Sequence, residues 1–198
     1  RFRSRMQTFL VVALSLFAVT AAASCPKGMQ DSDANAILAI PNGLREAISN
    51  GVFVAKGKLM PKSKTPLLPL TWDCDLAASA QIRADFCYVK QLPNMNTNYD
   101  QGGIEENNFV FWTSKPKTDG MAVRAATAWA SEFQEYGWSS LHYNLTVAAT
   151  GIRHAVPLVA VRNNKIGCAM NYCHADFMLV VCHFKDGGRR YGNTYEPA

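Results

Sequence analysis

The chain has 198 residues, 48% of them hydrophobic and 18% charged, with six cysteines. That length suits one domain with a full core, and that composition excludes intrinsic disorder as the main state. The formal charge of +5 shrinks once Arg1, Arg3 and Arg5 are set aside, because they leave 17 of the 20 basic groups against 15 acidic ones, net +2, and no nucleic-acid partner is implied.

Phe9 to Val19 is an apolar run broken only by Ser15 and followed by Thr20-Ala21-Ala22-Ala23-Ser24. A short apolar core before small residues reads as a secretory signal over residues 1–24, cleaved near Ala23. Met6 is a candidate initiator, which would make residues 1–5 upstream sequence; the competing reading of the run is a buried N-terminal helix. Residues 25–198 then form a single domain. The chain lacks the roughly 20 consecutive apolar residues of a transmembrane segment. Secretion gives Cys25, Cys74, Cys87, Cys168, Cys173 and Cys182 their meaning: three disulfides, with fifteen pairings open. A zinc site on Cys168, Cys173, Cys182 and His183 competes with that reading, but paired Cys-x2-Cys knuckles are absent. Asn144-Leu145-Thr146 is a glycosylation sequon.

From Asp31 to Asn50, Ile37, Ile40, Leu44 and Ile48 form a helical stripe that Gly51 can end, with Pro41 expected to kink or split it. Val52 to Leu70, with four lysines and three prolines, reads as an exposed loop. A second helix is expected over about Cys74–Lys90 and a loop over Pro93–Gly103. A third helix over about Gly120–Tyr136 buries Ala122, Ala126, Trp129 and Phe133. Val147 to Pro157 reads as a helix frayed by Gly151 and stopped by Pro157. Lys165–Tyr172 and Asp176–Phe184 read as strands, the second apolar enough to be central in a sheet. Without a regular βαβ alternation, the chain is expected to be α+β and not a doubly wound nucleotide-binding fold.

Trp72-Asp73-Cys74-Asp75-Leu76-Ala77-x-x-Ala80-Gln81 resembles the W-D-x-x-L-x-x-x-A-Q signature of the CAP superfamily. That superfamily includes cysteine-rich secretory proteins, insect venom allergens and plant pathogenesis-related proteins. Further blocks follow the same order: Asn42-Gly43-Leu44-Arg45, Glu105-Glu106-Asn107, Trp129-x-x-Glu132 with Tyr136, Lys165-Ile166-Gly167-Cys168, and Val181-Cys182-His183-Phe184 followed by Gly188. The cysteine beside Trp72-Asp73 is most similar to the nematode activation-associated and venom-allergen-like secreted proteins. The resemblance implies a three-layer α-β-α sandwich with bridges Cys168–Cys182 and Cys87–Cys173, leaving Cys25 for Cys74.

It also implies a cleft lined by two histidines and two acidic residues that can hold a divalent metal. By motif, Glu106, Glu132 and His154 occupy three of those positions, and Gln91 stands where the second histidine belongs. The three are expected to converge, and zinc to bind weakly, because an amide is a poor substitute for imidazole. Pro41, Pro157, Ala160 and Arg189 also depart from the family's usual residues. There is no G-x-S-x-G elbow, no H-E-x-x-H and no phosphate loop, and His142, His174 and His183 lack ligand spacing. The expected function is non-enzymatic binding of a sterol, a fatty acid or a host protein at a host–parasite interface, with no cofactor required. The alternatives are a metal-dependent hydrolase using His154 and the two glutamates, or a structural extracellular protein.

Overall fold

A computed structural model describes Cys25 and residues 29–87, 103–185 and 192–198. The leader, Gln91, Gly188 and Arg189 lie outside the described residues.

Helix α1 (Asp31–Asn50) begins with Asp31 and Asp33, whose charges suit the positive end of the helix dipole. It ends at Gly51, which takes the left-handed φ of 73° and returns its N–H to Ile48 O. Pro41 does not split it. The proline lies on the buried stripe with Ile37, Leu38, Arg45 and Ile48, so packing of that stripe outweighs the cost of about 3 kcal/mol from the lost hydrogen bond and the ring's clash with the preceding turn.

The expected loop after α1 contains a small hairpin, β1 (Val54–Ala55) and β2 (Lys58–Leu59). Its two-residue turn has positive φ at Lys56 (46°) and Gly57 (78°), the geometry that matches the twist of a tight hairpin. After β3 (Thr71–Trp72), helix α2 (Cys74–Asp85) starts at Asp73, whose carboxylate accepts from the N–H groups of Asp75 and Leu76 at 3.0 Å. A nine-residue strand β4 (Ile104–Trp112), unforeseen in the sequence, precedes α3 (Met121–Glu135). Then come β5 (His142–Tyr143), a short turn of helix α4 (Leu145–Val147) running into a π-turn, and α5 (Ala155–Val159). Gly151, at φ 109°, breaks that stretch; a Cβ there would lie 2.7 Å from the Tyr136 ring. Pro157 does not stop α5 but sits in its first turn, where a helix has no use for an N–H. Strands β6 (Lys165–Cys173), β7 (Phe177–Lys185) and β8 (Gly192–Asn193) complete the described chain.

The main sheet runs β3-β6-β7-β4, antiparallel except for β3 beside β6. One face carries α2 over Ala169, Leu179 and Val181. The other carries α1, α3 and α5 over Ile166, Val180 and Phe184. The α-β-α sandwich follows from this layering. Gly167 lets α2 lie directly on β6: a Cβ there would be 2.2 Å from Ala77 N and 2.5 Å from Asp73 O. Three disulfides, Cys25–Cys74, Cys87–Cys173 and Cys168–Cys182, pair as the family resemblance implied. They span 49, 86 and 14 residues, so the first two place the larger restraints on the unfolded chain.

Buried Arg45 fastens the α1 layer to its surroundings. Its guanidinium donates to Leu158 O (2.9 Å), Leu68 O (2.7 Å), Ala160 O (2.7 Å) and Asn163 O (2.8 Å). One helical turn earlier, Asn42 exchanges two hydrogen bonds with the backbone of Leu70. The Asn42-x-x-Arg45 block therefore organises the loops around α1.

Candidate functional site

Glu132 and His154 meet, as expected. Glu132 projects from α3 toward the start of α5, where His154 holds the N-cap position. One carboxylate oxygen, Oε2, accepts from the backbone N–H groups of His154 and Ala155, each at 2.9 Å. The other, Oε1, lies 2.6 Å from His154 Nδ1. A carboxylate can only accept here, so Nδ1 carries the proton, and in the neutral ring Nε2 is the remaining acceptor. Glu132 thus supplies from a neighbouring helix the cap that α5 lacks in its own sequence. Asn107 on β4 fixes the same junction by donating to His154 O at 2.8 Å.

Glu106 does not join them. Side chains along a strand alternate between faces, and Glu106 points to the α2 side while Glu105 and Asn107 point to the His154 side. On its own side Glu106 Oε2 accepts from His183 Nε2 at 3.0 Å and pairs with Arg83 Nε at 3.3 Å. His183 Nδ1 lies 2.6 Å from Ser79 Oγ, which also contacts Leu76 O at 3.0 Å. Serine, histidine and glutamate form one chain, yet His183 is fully buried and the hydroxyl is held by the protein's own carbonyl. The arrangement ties α2 to β7 and β4.

The glutamate that shares His154's side of the sheet is Glu105. Its Oε2 lies 3.3 Å from Arg162 Nη2 and 3.3 Å from Asn163 Nδ2, and Asn163 also donates to Pro157 O at 2.9 Å. Ser79 and Arg83 were missed in the sequence, Glu105 and Asn107 were read only as members of a motif block, and His183 was read as lacking ligand spacing. The alternation of Glu105 and Asn107 around Glu106 was the signal that could have placed those two. No sequence signal joined Ser79 and Arg83 to a histidine some hundred residues later.

Among the described residues the donor set is short of a family-type metal: Glu106 lies across the sheet, three N–H groups take most of the Glu132 carboxylate, and His154 Nε2 is the one imidazole nitrogen at the junction. Among the described residues, no group of three or more His, Cys, Asp and Glu could hold a metal ion. The second expected position, Gln91, lies outside them. The cysteine–histidine zinc reading is overturned, because Cys168, Cys173 and Cys182 are all in disulfides. Of the aromatics that follow α3, buried Trp138 stacks on Phe133 with centroids 4.6 Å apart and Tyr143 is buried as well, whereas Tyr136 stays exposed.

No described helix is long and apolar enough to cross a membrane. Comparison with curated proteins finds cysteine-rich venom protein VAR10 of Varanus varius, 25% identical over 190 residues that cover 94% of this chain and 79% of the relative. VAR5 of Varanus acanthurus is 24% identical, over 94% of this chain and 83% of its own length. Among solved structures, BmVAL-1 superposes with a TM-score of 0.77 at 26% identity, covering 89% of this chain and 88% of its own. NaASP2 with Zn2+ gives a TM-score of 0.76 at 24% identity, over 88% and 90% of the two chains, and speaks for the fold alone. The model of the cysteine-rich secretory protein family matches residues 38–184, and the chain belongs to that family, CAP.

Proposed function

We propose that this chain is a secreted, non-catalytic protein that acts by binding a lipid, a sterol or a host protein at a host–parasite interface. One observation carries the non-catalytic part: the Glu132 carboxylate accepts three N–H groups as it caps α5. Those donors take three of the roughly four acceptor sites of a carboxylate. The group that a general base would offer to substrate is committed to holding α3 and α5 together. Three disulfides and venom-type relatives support an extracellular setting. The Asn144 sequon fits that setting: its Oδ1 accepts from Val147 N at 3.0 Å to cap α4, which leaves Nδ2 as the site of glycan attachment.

The test is uptake of a labelled sterol and a labelled fatty acid by delipidated protein. Saturable uptake of either, competed by unlabelled ligand, supports a lipid ligand. Absence of both, together with a partner captured from host fluid, assigns the binding to protein. Turnover of an ester or peptide substrate that is lost in Glu132→Gln would overturn the non-catalytic reading.

A further inference from the structure

The β1–β2 hairpin turns an apolar face away from the molecule. Phe53, Ala55 and Met60 point inward and are buried, whereas Val52, Val54 and Leu59 on the outer side are 65%, 40% and 60% exposed. Val54 and Leu59 are direct cross-strand partners, and Val52 lies two residues before Val54 on the same side, so the three make one patch. Lysines flank it. Lys56 forms the turn and lies against Gly137, Lys58 pairs with inward-facing Ala55 and so stands on the opposite face at the hairpin edge, and Lys62 and Lys64 follow, all exposed. The Lys62 side chain runs against Gly51, which puts it beside Val52. From Gly51 to Trp72 the chain has no aspartate or glutamate.

The hairpin is also preformed. Gln134 of α3 donates to Val54 O and accepts from Lys56 N, holding β1 and the first turn residue. Little ordering entropy would be lost on docking. We infer that this hairpin docks on an anionic lipid bilayer, with Val52, Val54 and Leu59 entering the boundary between headgroups and acyl chains and the lysines meeting the anionic headgroups. A soluble polyanion would use the lysines and leave the apolar face in water. A bilayer answers both halves of the surface. The inference stands apart from the reading of the His154 junction.

Co-sedimentation of the secreted chain with phosphatidylcholine vesicles, with and without phosphatidylserine, tests it. Binding is expected only where phosphatidylserine is present, and is expected to fall as salt screens the lysines. Lys62→Ser should weaken it about 5-fold, the value of one lysine near an anionic surface. Val54→Ser with Leu59→Ser should weaken it about 10-fold or more by removing the inserted groups. Ile82→Ser, an exposed residue of α2 on the other side of the sheet, should leave it unchanged. Circular dichroism checks that each variant is folded. Failure to bind phosphatidylserine vesicles at low salt would overturn the inference. So would equal loss in Ile82→Ser, or full binding by the Val54/Leu59 variant with displacement by heparin, which would assign the lysines to a soluble polyanion.

Discussion

The two faces of β4 carry two polar clusters that look alike in sequence and differ in structure. On the α3 face, a glutamate and a histidine close the junction between two helices, with the carboxylate capping α5. On the α2 face, a glutamate and a buried histidine join a helix to the sheet through Ser79 and Arg83. Adjacent residues of one motif, Glu105-Glu106-Asn107, are divided between them. In a strand, one step along the chain is a change of compartment, so a motif match that is correct to the residue can still place a side chain on the wrong side.

The sharpest way to probe the contrast is to remove what holds each face. Arg45→Ala on the α1/α3 side leaves four carbonyls without their donor and should cost about 3–5 kcal/mol in urea unfolding. Gly167→Ala on the α2 side forces a Cβ into the backbone of Ala77 and should cost about 3 kcal/mol. A change below about 1 kcal/mol for either would show that its layer is not fastened there.

A smaller effect is expected from pH. Burial raises the Asp73 pKa, but the Lys165 ammonium at 2.8 Å and the N–H groups of Leu76 and Asp75 outweigh it, so the carboxyl titrates below its usual range. A lowered folded pKa means that the unfolded chain binds the proton first. The contribution is therefore complete above the unfolded value of about 3.9 and is lost as pH falls through the folded one. Asp73→Asn should flatten that part of the stability–pH curve below about pH 5. An unchanged acid limb would remove Asp73 from the account.

Much of this architecture was legible in the sequence. The stripes of α1 and α3 and the apolar run of β7 gave their elements because each buries an uninterrupted face. Strand β4 was illegible because Glu105, Glu106, Asn107 and Asn108 fill positions where strands are usually apolar, the side chains of the first three being satisfied by distant partners. The hairpin was hidden by the lysines and prolines around its Lys56-Gly57 turn. Pro41 and Pro157 read as breakers because the sequence does not show how much packing supports a helix. At the candidate site, Glu132 and His154 were found by resemblance. Glu106 was misplaced because a motif match does not say which face of a strand its residue takes, and His183 was passed over because its partners are remote in sequence.

The smallest expected effect is on metal binding. Calorimetric titration with zinc should show micromolar or weaker binding to the unmodified chain, lost in His154→Ala and tightened in Gln91→His. Tight binding that survives His154→Ala would place the metal elsewhere.

The central claim is that Glu132 and Glu106 act separately across the sheet, and a double-mutant cycle in urea unfolding tests it most directly. Glu132→Gln and Glu106→Gln should each destabilise the protein, and the double variant should equal their sum within about 0.5 kcal/mol. A coupling energy above about 1 kcal/mol would mean that the two carboxylates belong to one cluster, and would contradict the assignment.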